Sequence, residues 1–353
     1  MSYEPNISLH PGHTLARELD GEGMSQKSLS ERTGLTEKHI SQIINGEASI
    51  TVETALLLEN ALSGSASFWI NLEKFYQETK ARLERRSQTV KEIGLVSKFP
   101  YKELVKRGYI EQTGNKERKV ENLWKFFGAN SLAFAEDTSP IAYRKRNGLK
   151  IKSEYIASWL RCGELEAKKN ALPEYSETKL KELLPQIKTL SVKSPKEFLV
   201  AITDMLSTAG VGLVYIPHFP GTGVSGAVRW VGNNPLIQLS IYYPWVDIFW
   251  FNLYHEIGHL ILHGKKDRFI EFDDKALSIV QDKEKQADDF AGEELIPTKS
   301  YSEFAKQPLT KPGVVEFAKT LNIHPGIVAG RLCHDKKVNW KSVSGLRPRL
   351  KFM

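Results

Sequence analysis

The chain has 353 residues, 41% of them apolar, enough to bury more than one core. Its formal charge of +7 and pI near 9.1 suit an anionic partner such as nucleic acid. Its two cysteines, Cys162 and Cys333, lie far apart in no CxxC pattern, which argues against a disulfide framework or a zinc knuckle and fits a cytoplasmic protein. The opening MSYEPNISLHPG has no basic region followed by an apolar run, so no signal peptide is expected. No apolar run is long enough to span a bilayer. The stretch around Trp250 is interrupted by Asp247, Asn252 and His255, so no membrane partner is expected.

The N-terminal part, residues 1–90, reads as short helices. Ser25 is placed to cap a helix running to Arg32, and Gly34 supplies a left-handed turn with Leu35 packed beneath it. Thr36 caps the next helix, which ends at Asn45-Gly46. Thr51 starts another, with Ala55, Leu58 and Leu62 on one face. Leu29, Leu35, Ile40 and Ile43 have the spacing of a helix-turn-helix core. In that motif the second helix enters the major groove of double-stranded DNA, so Thr36, Lys38, His39, Ser41 and Gln42 are the expected base-facing residues. Gln26 is expected at a phosphate through its amide and the helix N-terminus, and Asn45 at the far backbone. Residues 1–85 hold eight Lys/Arg against twelve Asp/Glu, a net charge of −4. Any DNA affinity must therefore come from a local basic face, in a homodimer by default for this class.

The run GMSQKSLSERTGLTEKHISQIINGEASITVETALLLENAL, followed by SASFWINLEKFYQE, resembles the HigA-type antitoxins and regulators of the XRE helix-turn-helix class, over about residues 10–85. The resemblance implies operator binding and a toxin or other protein partner. Ser30 departs from it, standing where alanine commonly packs between the two helices. It fits there if its hydroxyl bonds back into its own helix.

Residues 91–194 read as a helical connector. Lys98, Lys102, Lys106, Arg107, Lys116, Arg118 and Lys119 make its first part basic, while Leu123, Phe126 and Phe127 form an apolar cluster. Pro185 is expected to kink or end the helix ETKLKELLPQIKTL.

Residues 195–300 carry the chemistry. Ser194-Pro195-Lys196-Glu197 is a helix start with the elements of a capping box. Three strand-like runs follow, VGLVYIP, SGAVRWVG and PLIQLSIYY, expected to form a small antiparallel sheet. Then comes FNLYHEIGHLILH, in which His255 and His259 are one helical turn apart and share a face. Two imidazoles so placed can hold one cation, and Glu256 beside them can take a proton from an attacking water. That is the residue set of a zinc peptidase. Helical periodicity in EKQADDFAGEELIP puts Ala287, Phe290, Ala291 and Leu295 inward, leaving Glu284 or Glu294 as third ligand. His263 fits a helix end better than a metal. Tyr254, Tyr242 and His218 are candidates for stabilising an oxyanion.

The segment VSGAVRWVGNNPLIQLSIYYPWVDIFWFNLYHEIGHLILHG, with EKQADDFAGEELIP, resembles the ImmA/IrrE family of zinc metallopeptidases, which carries HEIGH and then ExxAxxFA. The resemblance implies Zn2+ held by His255, His259 and Glu284, with Glu256 as general base and a protein substrate. Asp288 stands where Asn is common, and Glu294 where an apolar residue is common. Residues 301–353 read as a helical tail with a basic end, Lys336, Lys337, Lys341, Arg347, Arg349 and Lys351. They resemble the tail of regulators that join a HigA-like head to such a peptidase.

The expected fold is α+β and mostly helical: an all-α helix-turn-helix domain (1–90), a helical connector (91–194), a minimal zincin domain (195–300) and the tail (301–353). The expected function is a DNA-binding transcriptional regulator with a zinc-dependent endopeptidase domain. The alternative is an antitoxin-type repressor that neutralises a toxin partner, its metal site structural or sensory.

Overall fold

The computed structural model describes residues 7–133, 152–220, 222–240, 243–263 and 274–350. They fall into two compact units, one of residues 1–94 with 113–121, the other of 95–112 with 122–353.

The first unit is built from α1 (Pro11–Glu22), α2 (Gln26–Thr33), α3 (Glu37–Ile44), α4 (Val52–Ala61) and α5 (Ala66–Glu92). Each start is written locally. Ser25, Thr36, Thr51 and Ser65 accept a backbone N–H three residues on, satisfying a donor the helix itself cannot. Helix α1 begins with His10-Pro11-Gly12, where the imidazole Nδ1 of His10 accepts the Gly12 N–H at 3.0 Å. Gly12 has a second reason to be glycine: a Cβ there would lie 1.9 Å from the Ile43 carbonyl oxygen of α3. Leu15, Leu29, Ile40, Ile43, Leu58 and Trp69 are fully buried between these helices, each aliphatic side chain worth about 1.5–3 kcal/mol of burial. Ser30 solves its placement differently from expectation. Its hydroxyl donates forward to the Leu35 carbonyl at 2.5 Å, tying the turn to α2 instead of bonding back into the helix.

The second unit holds α6 (Tyr101–Lys106), α8 (Ser153–Ala167), α9 (Glu177–Thr189) and α10 (Pro195–Thr208). Helix α7 (Lys116–Phe127) begins among the residues of the first unit and ends among those of the second. Pro185 does not end helix α9, which continues to Thr189. Pro185 and Lys181 are both exposed, so the carbonyl left without a donor faces water, while Leu180, Leu184 and Ile187 keep the other face buried. Helix α10 has the expected capping box between Ser194 and Glu197.

The sheet is mixed, not antiparallel. Strands β1 (Gly212–Tyr215), β2 (Gly226–Val231) and β3 (Asn234–Leu239) run in the order β1-β3-β2, with β3 central. β2 and β3 are an antiparallel hairpin, closed by the short turn at Gly232, whereas β1 pairs parallel with β3. The cause is the connection from Ile216 to Ser225, too long for a tight hairpin, which carries the chain past β3.

Beyond the sheet lie α11 (Val246–His263), α12 (Asp274–Leu295), α13 (Thr298–Phe304), α14 (Lys311–Thr320) and α15 (Pro325–His334). Trp250, Leu253, Tyr254 and Ile257, at i, i+3, i+4 and i+7, give α11 one fully buried apolar face, while Leu262 near its end is exposed. Residues 301–350 are not a solvated appendage. Val314, Val328, Leu332, Val343 and Leu350 belong to the same core as Phe249 and Trp250, so packing crosses the segment boundaries drawn at 195 and 301. Residues 346–350 strap the start of α11: the Val246 N–H donates to Pro348, and the Leu350 N–H to Pro244. Arg347, partly buried, pairs with the buried Asp247 at 2.6 Å, its guanidinium over the rings of Trp245 and Trp340. Lys351 of the expected basic end lies outside the described residues. No helix among the described residues is long and apolar enough to cross a membrane.

Candidate functional site

Helix α11 sets His255 and His259 one turn apart, with their Nε2 atoms 3.0 Å from each other. Glu284 of α12 meets both, Oε2 lying 3.5 Å from His255 Nε2 and Oε1 3.3 Å from His259 Nε2. The helices come this close because of Gly258. A Cβ there would lie 3.3 Å from the Ala287 Cα and 3.0 Å from the Phe290 ring. The spacer residue of the motif thus brings the carboxylate-bearing helix to the histidines. One ligand atom from each of the three residues lies within 4.8 Å of the others. A tetrahedral cation with bonds near 2.0–2.1 Å needs donor atoms about 3.3 Å apart, so two imidazoles and a carboxylate at these spacings fit a single divalent ion.

His255 is almost fully buried, and its Nδ1 bonds Asp288 Oδ1 at 2.8 Å. Burial works to lower its pKa, but hydrogen bonds to Asp288 and Glu284 and the charge of Glu256 outweigh it and raise the value to about 9. These carboxylates make the pocket demand positive charge, which a proton or a divalent cation meets. Glu256 is also buried, on the sheet side of α11. A Cβ on Gly226, the first residue of β2, would fall 2.5 Å from its Oε1, so glycine there leaves room for the carboxylate.

Glu294, left open with Glu284 by periodicity, is not in the cluster; its backbone carbonyl accepts from Lys188 Nζ at 2.9 Å. His263 bonds Gln286 across the helices at 3.2 Å. Tyr254 is fully buried and donates to the Leu184 carbonyl at 2.6 Å, so it is a core residue and not a contact for a reacting group. His218 is half-buried, and burial followed by the nearby Arg107 charge lowers its pKa. Tyr242 lies outside the described residues.

In the first unit, Ile40 and Ile43 turn α3 inward, and the residues between them form its outer surface. Gln26, Thr36, Lys38 and Asn45 are exposed; His39, Ser41 and Gln42 are half-buried. Thr36 Oγ1 already accepts the His39 N–H at 3.1 Å, which makes it a cap first. Asn45 Nδ2 donates to Ser41 Oγ at 3.3 Å, fixing two of the polar side chains against each other.

Residues 15–69 match the family described as helix-turn-helix, and residues 248–332 match peptidase family M78, described as IrrE N-terminal-like domain. Virulence-associated protein I of Dichelobacter nodosus is 30% identical over 81 residues, which is 23% of this chain and 75% of that protein. The chain belongs to the XRE-type helix-turn-helix family and carries an IrrE/ImmA-like domain. A solved structure of a HigA-family addiction-module antidote protein from Coxiella burnetii is 32% identical, covering 24% of this chain and 94% of that one, with a TM-score of 0.23.

Two features around the site carry little or no sequence signal. The bond from Asp288 to His255 was signalled only by Asp288 lying four residues past Glu284. The Arg347–Asp247 lock lies beyond the matched residues and had no sequence signal.

Proposed function

We propose that this protein is a DNA-binding transcriptional regulator whose IrrE/ImmA-like domain is a zinc-dependent endopeptidase acting on a specific protein in the cytoplasm. The observation that carries the reading is the convergence of His255, His259 and Glu284 with Glu256 beside them. His255, His259 and Glu284 hold the ion, which when bound polarises the scissile carbonyl and acidifies water. Glu256 takes a proton from the attacking water and delivers it to the leaving amine as the peptide bond breaks. Its burial keeps that exchange away from bulk solvent.

On the DNA side, Gln42, Ser41, His39 and Lys38 read base edges, Gln26 and Asn45 hold phosphates, and Thr36 keeps the reading helix capped. A homodimer is part of this reading. Val52 and Leu56 of α4 and Phe68 and Phe75 of α5 are large apolar side chains left exposed on this unit.

The test is co-expression with proteins encoded beside it. The wild type should contain zinc and cleave one of them, Glu256→Gln should keep zinc and lose cleavage, and His255→Ala should lose both. The rival reading, an antitoxin-type repressor with a non-catalytic metal, predicts that wild type and Glu256→Gln behave alike and that a small toxin co-purifies intact.

A further inference from the structure

Residues 336–350 hold five Lys/Arg and no Asp/Glu. Arg347 is neutralised by Asp247, and its guanidinium lies over two indoles, 4.0 Å from the ring centre of Trp340 and 5.0 Å from that of Trp245. Arg349, itself exposed, lies over Trp245 at 4.8 Å. Trp340, Arg347, Trp245 and Arg349 thus form one series of ring-on-cation contacts, fastened to the core at Asp247. Trp340 ends the series at the surface. It is the one exposed tryptophan of the chain's seven, at 49%. The guanidinium covers one face of its indole, so that exposure falls on the other face and the edges. The ring is already held, so a second flat group can stack on it with little further loss of freedom. Lys341 follows it directly, and Lys336 and Lys337 precede it in the turn after α15; all three lysines are exposed. Lys336 stands in the left-handed region, φ 56°, where glycine would be unstrained. Lysine there costs backbone energy and keeps a cation on this surface.

We propose that this surface binds an unpaired nucleic-acid strand, with a base stacked on the open face of Trp340 and the neighbouring phosphates held by Lys336, Lys337 and Lys341. A flat π-face and an adjacent anion occur together in a nucleotide. In a duplex the bases stack on one another and cannot offer that face, so phosphate contacts alone would leave Trp340 unused. The positive surroundings repel cationic peptides and draw phosphate. DNA and RNA strands share this chemistry, and the 2′-hydroxyl separates them. The inference depends on neither the metal centre nor the reading helix.

The experiment follows binding of labelled oligothymidylate and oligouridylate, each of about 12 nucleotides, to the full-length protein by fluorescence anisotropy. Unlabelled duplex DNA and polyglutamate serve as competitors. The wild type should bind at least one strand, with quenching of tryptophan fluorescence, and the tighter of the two names the sugar. Trp340→Ala should weaken binding by about 5–150-fold, the loss of one stacked base. Trp340→Phe should fall between the two in affinity and lose the quenching. Lys336→Gly separates binding from folding: it relieves the left-handed backbone, so it should melt no lower than the wild type, while the slope of log K against log salt becomes shallower by about 0.7. Equal affinity in the wild type and Trp340→Ala overturns the inference. So does displacement of the strand by duplex or polyglutamate at the same concentration of charge, which would mark a surface for polyanions in general. Absence of strand binding by the wild type overturns it as well and leaves the metal centre and the reading helix standing.

Discussion

In the helix-turn-helix unit, the residues proposed to meet DNA all lie between Gln26 and Asn45, on two short helices and their ends. In the IrrE/ImmA-like unit, His255 meets a carboxylate 33 positions away, and the clustered side chains come from two long helices inside a core. The first arrangement would largely separate function from stability, because the residues proposed to read bases lie outside the buried core of Leu29, Ile40 and Ile43. The second does not. Gly258 sets the distance between the helices and Glu256 is wedged against β2, so the chemistry depends on the packing.

The sharpest way to break this contrast is Arg347→Ala. It leaves the Asp247 carboxylate buried with its partner gone, which should destabilise this unit by about 3–5 kcal/mol, read as a lower denaturant midpoint. The exposed pair Arg82–Glu78 of the other unit is its counterpart, and Arg82→Ala should leave the denaturant midpoint essentially unchanged. Next in size is Glu284→Ala, which removes the only carboxylate from the three-ligand cluster. Zinc retained after dialysis should fall below stoichiometric while the metal-free melt stays put. Gln42→Ala should weaken operator binding by about 1–3 kcal/mol and relax preference at one base pair, with stability within about 0.5 kcal/mol. A loss of both together would show that reading and packing are not separable in this unit. Ser30→Ala removes the bond to Leu35 and should cost about 0.5–1.5 kcal/mol, measured by chemical denaturation.

The smallest effect concerns a feature the units share. His324-Pro325-Gly326 starts α15 as His10-Pro11-Gly12 starts α1, again with Nδ1 accepting the glycine N–H, at 2.9 Å. Burial lowers both histidine pKa values, against the opposing charges of Glu73 at His10 and Asp247 at His324. The unfolded chain therefore binds protons more readily than the folded one. The stability from each cap is complete above the unfolded value near 6.5 and is lost as pH falls through the lower folded value. Denaturation midpoints should drop on acidification below about 6.5, and His10→Asn with His324→Asn, which caps without titrating, should flatten that slope.

What could be read from the sequence was local. The starts at Ser25, Thr36, Thr51 and Ser194 were legible because each cap is settled within four residues. The histidine pair was legible because helical spacing alone puts both on one face. Glu284 and Glu294 could not be separated by periodicity, since both fall near the inner face and only the approach of α12 at Gly258 distinguishes them. The parallel pairing of β1 depended on where the Ile216–Ser225 connection leads, and the passage of α9 through Pro185 depended on which side faces water. Ser30 shows the same limit in miniature: its need for a partner was plain, but the partner lay in the turn.

The stretch that ties down Val246 and Asp247 begins after the similarity to the peptidase family has ended at residue 332. A fragment trimmed at that limit would retain His255, His259 and Glu284 and still lose the clasp that holds the first turn of the histidine-bearing helix, along with the neutralising guanidinium. Anyone preparing the domain alone should carry the cut past Leu350, since shared ancestry fades here before the cooperative unit does.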